Sequence, residues 1–374
     1  MKVCYVSPEV FTWGVHGGFG FLTRTLCREL VERGIETFVV TVRRRGQGEV
    51  EKLDGFTVLG YPSHSWAPYP LNALLSRLGS IRYYREADCD IYHSQAVGYN
   101  TLAAQRAMPD RYHLTTFQDP YDLDEWRKIS EVDPRYTITP SFRARLVAET
   151  RFLAGACRNA DALFAQARFL IEKSIRLYGL ELSPVFLPNP VELPRRPMRE
   201  AGEPTVCFLA RWDPQKRVDL FIELARELPE VTFIAMGRSH DLRTDSKLRE
   251  MCSGLPNLEA PGFVSETEKS KILERSWALV NTSVREALPV SFLEALAHET
   301  PIISALNPDS LISRFGYPVT DGDYAGALRH MLMDGGRRGK GVKGKRYVEA
   351  VHEIDRVVER HIEIYERLLE GGGR

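Results

Sequence analysis

The chain has 374 residues, of which 43% are apolar and 27% charged, and its 50 basic residues balance 50 acidic ones. At about 100 to 200 residues per domain this length predicts two domains, and the composition is that of an ordinary globular protein rather than a disordered or fibrous one. The formal net charge of zero excludes the broad positive field of a dedicated nucleic-acid binder. We therefore expect no nucleic-acid partner, and a local site for any anionic ligand.

The six cysteines are dispersed, with no Cys-x-x-Cys pair and no Cys/His cluster at zinc spacing. Such cysteines are typical of reduced, buried thiols in the cytosol. Residues 3–6 predict a strand with no signal-peptide pattern before it, and no apolar run approaches the ~18 residues of a membrane-spanning helix. We expect a soluble cytoplasmic protein.

Residues 3–42 predict a strand, a glycine loop at 16–20, an amphipathic helix and a second strand, which together make a βαβ unit. Short strands then alternate with helical stretches, and these strands are predicted at 90–93, 114–117, 162–165 and 185–187. This alternation is typical of a parallel sheet with helices on both faces. We assign residues 1–190 to an N-terminal α/β domain.

Five prolines lie between Leu187 and Pro204, where they cannot continue a helix or a central strand. We place an interdomain linker at 191–204. Strands and helices alternate again over 205–345, which predicts a second doubly wound domain facing the first across a cleft.

The C-terminal part of the chain has a different pattern. The glycine-rich and basic stretch 335–344 has little to bury and predicts a mobile connector. An apolar stripe over 347–369 predicts one long helix. We assign 346–374 to this C-terminal helix and expect it to pack back on the N-terminal domain.

Open α/β sheets bind ligands at the carboxyl ends of their strands, where helix N-termini offer unpaired N–H groups. Arg211 and Lys216 follow the first strand of the second domain, and together they could neutralise a diphosphate. Taken alone, two such cations are more often solvated surface residues. The 16–20 loop follows the first predicted strand of the chain. Its glycines would let backbone amides approach a phosphate.

Two glutamates follow another strand of the second domain. Glu286 belongs to the loop 283–289, and Glu294 lies about one turn into the next helix. A carboxylate near a helix N-terminus is stabilised by the helix dipole, so each has a purely structural interpretation. Glu294 lies beside Leu293 and Leu296 rather than on the polar face, where an acid without a task would cost stability. A carboxylate held there could accept hydrogen bonds from a ribose diol.

In this order and spacing the chain resembles a retaining GT-B glycosyltransferase of the GT4 family. The resemblance rests on Gly17-Gly18, on Arg211 and Lys216, and on the Glu-x7-Glu pair of Glu286 and Glu294. It runs over almost the whole chain, since Leu187-Pro188-Asn189-Pro190 matches the family's interdomain Pro-Asn-Gly and Pro261-Gly262-Phe263-Val264 its base-binding glycine turn. The resemblance implies two Rossmann-like domains that face each other across a cleft, with 1–190 on the acceptor side and 205–345 binding the sugar nucleotide.

The resemblance also implies a function: transfer of a sugar from a nucleoside-diphosphate sugar to an unknown acceptor, with neither a metal ion nor a further cofactor. Arg211 and Lys216 would grip the donor diphosphate, and Glu286 would contact the donor sugar beside its anomeric carbon. These three are the predicted catalytic residues. The predicted donor-binding residues are Gly17, Gly18, Gln118, Leu288, Glu294, Phe263 and Val264, with Glu294 at the ribose hydroxyls.

The chain departs from the family pattern at two positions. Ala287-Leu288-Pro289 stands where the family has Gly-Phe-Gly, and proline has no N–H to donate to the sugar. Thr116-Phe117-Gln118 stands where the family has Thr-Phe-His, whose histidine usually touches the donor sugar. We therefore predict that Gln118 faces the donor sugar as an uncharged amide. Both departures bear on which sugar is transferred.

Other candidates carry weaker signals. His93 ends a predicted strand and is assigned to acceptor contact, although a lone strand-end histidine is more often a hydrogen-bonded structural residue. Three Asp-x-Asp strings suggest a metal site, but we expect bystanders, because they precede a strand or lie in a turn. They are Asp88/Asp90, Asp122/Asp124 and Asp321/Asp323.

The apolar stripe of Leu71, Leu74, Leu75 and Leu78 is typical of a core-facing helix. The nearby arginines also make it compatible with a weak peripheral contact on an anionic membrane. The predicted partners are accordingly a nucleotide sugar and a carbohydrate, lipid or small-molecule acceptor.

Two other classes of function stay open. One is an enzyme of the same fold that acts on a sugar nucleotide without transfer, such as an epimerase, which would need further acid/base residues. The other is an inactive sugar-nucleotide-binding module. The presence of a charged residue at every charged position of the site argues against this class.

Overall fold

The computed structural model describes residues 1–13, 17–44, 46–64, 66, 68, 71–194 and 201–371. His16 of the predicted glycine loop and residues 195–200 of the predicted linker lie outside the described residues. The chain divides into two compact units. The N-terminal unit consists of Met1–Asp122, Thr139–Pro190 and Asp355–Arg374, and the C-terminal unit of Leu123–Ile138 and Val191–Ile354.

The strands belong to two sheets. They are β1 Lys2–Val6, β2 Glu36–Arg43, β3 Val50–Leu53, β4 Phe56–Pro62, β5 Ile91–Ser94, β6 Tyr112–Phe117, β7 Ala162–Ala165, β8 Val185–Phe186, β9 Thr205–Leu209, β10 Thr232–Met236, β11 Leu258–Gly262, β12 Ala278–Asn281, β13 Ile302–Ser304 and β14 Gly316–Pro318. The strand predictions of the first domain agree with β5 to β8.

The helices alternate with these strands. They are α1 Gly18–Glu32, α2 Leu71–Ala87, α3 Tyr99–Ala107, α4 Leu123–Val132, α5 Pro140–Arg158, α6 Phe169–Tyr178, α7 Val218–Glu227, α8 Leu242–Ser253, α9 Glu266–Arg275, α10 Val290–Ala297, α11 Leu311–Phe315, α12 Tyr324–Met333, α13 Arg337–Val351 and α14 Ile354–Glu370.

Within the described residues, the sheet of the N-terminal unit has the order β3-β4-β2-β1-β5-β6-β7-β8. Its pairs are parallel except for β3 with β4. The sequence analysis missed this hairpin, whose two-residue turn is Asp54-Gly55 with positive φ at both residues. Asp-Gly is the strongest short-range hairpin signal, because that turn requires residues that tolerate the left-handed region.

The described sheet of the C-terminal unit has the order β11-β10-β9-β12-β13-β14, and all of its pairs are parallel. Helix α7 packs on it with the predicted apolar face, of which Phe221, Ile222 and Ala225 are fully buried beside Phe208 of β9. Both units are therefore doubly wound α/β structures, as predicted. In each, the carboxyl ends of neighbouring parallel strands share one sheet edge, which is where ligands bind in such folds.

The prediction of a mobile connector at 335–344 is wrong, because α13 covers most of it. Gly341 and Gly344 are buried in this helix. A Cβ on Gly341 would lie 1.9 Å from the Glu299 carbonyl oxygen, and one on Gly344 would lie 2.6 Å from a Leu296 methyl group. The glycines thus let α13 approach the chain at the end of α10, a packing role that their composition does not reveal.

The predicted long helix over 347–369 is two helices, α13 and α14. Helix α13 ends at Val351, and the carbonyl oxygen of the next residue, His352, accepts a hydrogen bond from the Val191 amide at 2.8 Å. Val191 and Glu353 also form an isolated parallel bridge. Helix α14 then packs in the N-terminal unit through Tyr365, whose hydroxyl lies 3.0 Å from the hydroxyl of Tyr5 on β1.

The leucine stripe of α2 does not face the core. Leu71, Leu74 and Leu78 have exposed fractions of 44%, 47% and 52%, so the core-facing interpretation is wrong for these three. The weak membrane contact stays a prediction. Among the described residues, no helix combines the length and apolarity that crossing a membrane requires.

Candidate functional site

The loops after β9 and β12 form one structure at the carboxyl edge of the C-terminal sheet. Lys216 ends a short 3₁₀ turn that begins at Pro214. Thr282 Oγ1, just after β12, lies 2.8 Å from the carbonyl oxygens of both Lys216 and Arg217. The Val284 amide donates to the Gln215 carbonyl oxygen at 3.0 Å. Because β9 and β12 are neighbouring strands, these bonds hold the two predicted parts of the site together.

The predicted Lys216 and Glu286 are in direct contact. Lys216 Nζ donates to Glu286 Oε1 at 2.5 Å, and Ser283 Oγ donates to the same oxygen at 2.7 Å. Burial raises the pKa of Glu286, but the charge and hydrogen bond of Lys216, together with Ser283, outweigh it and bring the pKa below its usual value. Glu286 is therefore an ionised carboxylate at neutral pH.

Arg211 stands on the solvent side of the same loop, with 41% of its side chain exposed and Nη2 3.3 Å from Asp213 Oδ2. Its neighbour Trp212 is buried and carries the Arg249 guanidinium over its ring at 5.5 Å. The buried indole anchors the loop, while the guanidinium of Arg211, although paired with Asp213, stays accessible to solvent.

Glu294 lies on α10 among fully buried residues, including Leu293 and Leu296, as the sequence analysis expected. Its Oε1 accepts a hydrogen bond from Lys269 Nζ at 2.5 Å. Burial lowers the pKa of Lys269, but the carboxylates of Glu294 and Glu266 outweigh it and raise that pKa. The sequence analysis missed Lys269, because nothing in the pattern shows which residue of α9 meets α10.

The departure at 287–289 shapes the start of α10. Ala287 and Leu288 are buried, and Pro289 is the residue just before the helix, with φ −65° and ψ 138°. Proline has no N–H, so its position outside the helix costs no helical hydrogen bond. The predicted donor-binding residue Leu288 is itself only 3% exposed.

Two glycines lie at the carboxyl ends of β10 and β11, on the side of β9 that faces away from β12. Gly237 after β10 has φ +122°, and a Cβ there would lie 1.9 Å from the Ala210 carbonyl oxygen. Its amide donates to Gly262, which ends β11 with φ +84°. Phe263 follows with an exposed fraction of 60%, and Val264 is half-buried. An exposed aromatic ring at a strand end can stack on a nucleobase.

A further buried ion pair adjoins Glu286. Arg285 Nε donates to Glu125 Oε1 on α4 at 3.1 Å, and the Arg285 side chain is only 4% exposed. Both residues belong to the C-terminal unit, which includes Leu123–Ile138. The predicted N-terminal domain, 1–190, includes 123–138, because the order of elements along the chain does not show that this segment packs in the other unit.

In the N-terminal unit, Gly17 precedes α1 and Gly18 begins it. The carboxylate of Glu9 lies over this helix start and accepts a hydrogen bond from the Gly20 amide at 2.9 Å. A Cβ on Gly17 would meet that carboxylate at 2.5 Å, whereas one on Gly18 would meet nothing within 4 Å. One amide of the predicted phosphate loop is thus already bonded to an acid.

Gln118 belongs to a cluster of buried amides at the ends of β5, β6, β7 and β8. Its Nε2 donates to Gln95 Oε1 at 3.0 Å and to Asn189 Oδ1 at 2.9 Å, and its Oε1 accepts from Asn189 Nδ2 at 2.9 Å. Gln166 Nε2 donates to the Gln118 carbonyl oxygen. The side-chain amide of Gln118 is thus already hydrogen-bonded to other side chains of the protein.

His93 is fully buried, and both of its ring nitrogens have partners: Nδ1 lies 2.8 Å from the Tyr365 hydroxyl and Nε2 2.8 Å from Thr116 Oγ1. Burial and the neighbouring His361 hold the pKa of His93 well below its usual value. In this structure His93 is a neutral core residue, which leaves it no free nitrogen for an acceptor.

The Asp-x-Asp residues have other roles where the structure gives their partners. Asp88 and Asp90 face Arg111, Asp124 faces Arg127, and Asp323 caps α12 through the Gly326 amide. That the strings are bystanders stays a prediction.

Two family models match consecutive parts of the chain. The model for Glycosyltransferase Family 4 matches residues 16–195, and the model for glycosyl transferases group 1 matches 192–308. A comparison with curated proteins gave no match.

Several solved structures share the fold. A sucrose-phosphate synthase from Thermosynechococcus elongatus has a TM-score of 0.78 at 16% identity, covering 99% of this chain and 100% of that one. Anabaena HepE, solved with UDP and glucose, has a TM-score of 0.72 at 13% identity, covering 98% and 100%. WaaG, a glycosyltransferase of lipopolysaccharide biosynthesis, has a TM-score of 0.68 at 15% identity, covering 97% and 99%. The likeness to these structures shows the fold, and the two family models, which together match residues 16–308, show that the chain is a GT4-like GT-B glycosyltransferase.

Proposed function

We propose that the protein is a retaining, metal-independent glycosyltransferase that moves a sugar from a nucleoside-diphosphate sugar to a carbohydrate, lipid or small-molecule acceptor. The observation that carries the proposal is the contact of Lys216 with Glu286, together with the solvent-exposed Arg211 in the same loop as Lys216. HepE was solved with UDP and glucose, and TarM of S. aureus with UDP and α-GlcNAc-glycerol, which supports a nucleotide-sugar donor and a hydroxyl-bearing acceptor.

The two cations have a chemical reason to be there. As the bond from the sugar to the diphosphate breaks, negative charge develops on the leaving group, so fixed positive groups stabilise the transition state more than the ground state. Arg211 offers a planar fork suited to a phosphate, and Lys216 a compact point charge. Together they would supply the charge that a divalent ion supplies in metal-dependent transferases.

Glu286 would act as an ionised carboxylate. Its pKa is lowered mainly by Lys216 against the opposing effect of burial, so it carries no proton to give at neutral pH. It can accept hydrogen bonds from sugar hydroxyls and favour positive charge that develops near the anomeric carbon. The resemblance to a retaining family supports retention of the anomeric configuration. A cytoplasmic location fits the cysteines, all of which are buried and unpaired.

The first experiment measures binding of UDP, GDP and ADP by thermal shift and calorimetry. A ligand at ~100 times its dissociation constant adds ~2.7 kcal/mol to stability. Arg211→Gln and Lys216→Met are each expected to weaken binding roughly 10- to 150-fold, since a charge-assisted hydrogen bond contributes about 1.5 to 3 kcal/mol. Arg226→Gln, an exposed arginine near the end of α7, is the control.

The second experiment identifies the reaction. Sugar nucleotides of the base that binds are incubated with candidate acceptors, and the products are followed by NMR. A new glycosidic bond with the donor's anomeric configuration supports retaining transfer, and the opposite configuration contradicts it. An isomerised sugar nucleotide without transfer would favour an epimerase. Binding with no turnover across all donors and acceptors would favour an inactive binding module.

A further inference from the structure

The contact between α9 and α10 includes an ion pair between Lys269 on α9 and the side chain of Glu294 on α10. Lys269 Nζ lies 2.5 Å from Glu294 Oε1 and 2.6 Å from Glu266 Oε2. The side chains of Lys269 and Glu294 are only 13% and 11% exposed, whereas that of Glu266 is 64% exposed. Lys269 therefore faces one buried and one solvated carboxylate, and the buried one depends on it more strongly.

A second contact fixes the same two helices without adding charge. Ser270, next to Lys269, lies with Oγ 2.8 Å from His298 Nε2, and His298 Nδ1 lies 2.7 Å from the Glu294 carbonyl oxygen. Burial lowers the pKa of His298, so the ring is neutral at pH 7. Among the ion pairs of the described residues, Lys269 is the cation that meets Glu294.

The bond to Lys269 also decides which part of Glu294 a ligand can use. A carboxylate has two oxygens, and Oε1 is taken by the ammonium group. The other oxygen, Oε2, keeps its lone pairs for an incoming hydroxyl. Helix α9 begins at Glu266, shortly after Phe263 and Val264. Ser265 caps it: its hydroxyl accepts a hydrogen bond from the Glu268 amide, and its own amide donates one to the Glu268 carboxylate. The loop that carries the exposed ring of Phe263 and the helix α9 that carries Lys269 are therefore one continuous segment.

We propose that Lys269 is a positioning residue that presents Glu294 Oε2 to the ribose diol of the donor, and so makes the site selective for ribonucleotides over deoxyribonucleotides. The inference rests on the proposed function, because it takes the ligand to be a nucleoside diphosphate. Lys269 acts through Glu294 and does not touch the nucleotide. Its removal would let the Glu294 side chain turn away, because a buried carboxylate without a partner is costly.

The test compares each nucleoside diphosphate that binds, from UDP, GDP and ADP, with its 2′,3′-dideoxy analogue. The measured quantity is the ratio of the two dissociation constants. In the unchanged protein the ribonucleotide is expected to bind about 10-fold or more tightly, since a hydrogen bond to a charged group contributes about 1.5 to 3 kcal/mol. Lys269→Met is expected to weaken ribonucleotide binding alone, which brings the ratio close to one.

Three further variants separate positioning from a structural effect. Glu294→Gln is expected to lower the ratio as Lys269→Met does, and the double variant is expected to lower it no further. Lys271→Met, at an exposed position on the same helix, is the control and should leave the ratio unchanged. Lys269→Arg keeps the positive charge, but a guanidinium fork can bond both carboxylate oxygens. It should therefore retain the melting temperature while lowering the ratio, and it decides the matter if Lys269→Met does not fold.

The inference is overturned if every folded Lys269 variant keeps the ratio of the unchanged protein, even if the melting temperature falls. It is also overturned if both affinities drop by the same factor, which is what a merely structural counter-ion would cause. Failure of the proposed function looks different: none of the three nucleotides binds the unchanged protein, and the inference then falls with it.

Discussion

Lys216 and Glu286 lie 2.5 Å apart, Nζ to Oε1, although they belong to loops that follow two different strands, β9 and β12. Their side chains are 14% and 10% exposed, so the pair is largely withdrawn from water. Glu294 has the same arrangement with Lys269. Each glutamate of the pair is thus balanced by a lysine from a different element, and neither ion pair can be altered on one side without leaving a buried charge.

The first prediction concerns this balance at Lys216. Lys216→Met should cost about 3 to 5 kcal/mol of unfolding free energy, because it leaves the Glu286 carboxylate buried without a counter-charge. Adding Glu286→Gln should return part of that loss, with a coupling energy of about 1 to 3 kcal/mol. Urea unfolding of the two single variants and the double variant measures the cycle. Lys247→Met, at an exposed position on α8, is the control, and strictly additive losses would contradict the prediction.

Much of this site could be predicted from the sequence because a parallel sheet brings its strand ends to one edge. Arg211 and Lys216 follow β9, while Glu286 follows β12, so the strand pattern alone placed them near one another. Lys269 could not be predicted in this way. Its contact with Glu294 spans 25 residues and depends on how two helices pack, which no local pattern records.

The same limit explains the errors in the fold. Gly341 and Gly344 belong to a stretch whose composition is typical of a flexible connector. Their lack of a side chain is nevertheless what allows the helix to pack closely. The break at His352 is set by a hydrogen bond to Val191, a residue distant in sequence. Hydrophobic periodicity describes one element at a time, so it cannot show where two distant segments touch.

The second prediction tests the packing of α13. Gly341→Ala should destabilise the protein by about 1 to 3 kcal/mol, because the new methyl group would collide with the Glu299 carbonyl oxygen and overpack the contact. Gly339→Ala lies in the same helix, where an added Cβ meets nothing within 4 Å. It should stabilise by up to about 1 kcal/mol through helix propensity. Chemical denaturation of both variants gives the comparison, and equal shifts would contradict the packing role.

The third prediction concerns metal dependence. Arg211 and Lys216 would supply the positive charge for the leaving diphosphate, so turnover should survive treatment with EDTA and dialysis. The rate is measured with and without added Mg²⁺ or Mn²⁺ after that treatment. A complete loss of activity that either ion restores would contradict the proposal and return attention to the Asp-x-Asp residues.

The fourth prediction concerns stability in mild acid. Burial lowers the pKa of His361 to about 4, and the pKa of His93 is also well below its usual value. An unfolded histidine titrates near pH 6.5, so the unfolded chain binds more protons than the folded one between about pH 6.5 and 4. Stability is therefore fully present above about pH 6.5 and should fall by about 1.4 kcal/mol per pH unit for each histidine as the pH drops.

Unfolding free energies between pH 7 and 5 check this slope. His361→Leu should make the slope shallower by about 1.4 kcal/mol per pH unit, because one buried neutral imidazole is gone. His240→Leu, at an exposed position, should leave the slope unchanged. A His361→Leu slope equal to that of the unchanged protein would show that this histidine does not control acid sensitivity.

The last prediction concerns Gln118, which the sequence analysis expected to face the donor sugar. The structure gives its side-chain amide two donor bonds and one acceptor bond, to Gln95 and Asn189. Gln118→Ala would leave buried partners unpaired, and each unsatisfied polar group costs about 1 to 3 kcal/mol. We therefore expect a clear loss of stability by denaturant unfolding. Replacement of a donor contact would instead lower kcat/KM roughly 10- to 200-fold and change the preference between sugars that differ at the primary hydroxyl. Kinetics with such a pair of donors decides between the roles: an unchanged preference together with lower stability supports the amide cluster, and a changed preference at unchanged stability contradicts it.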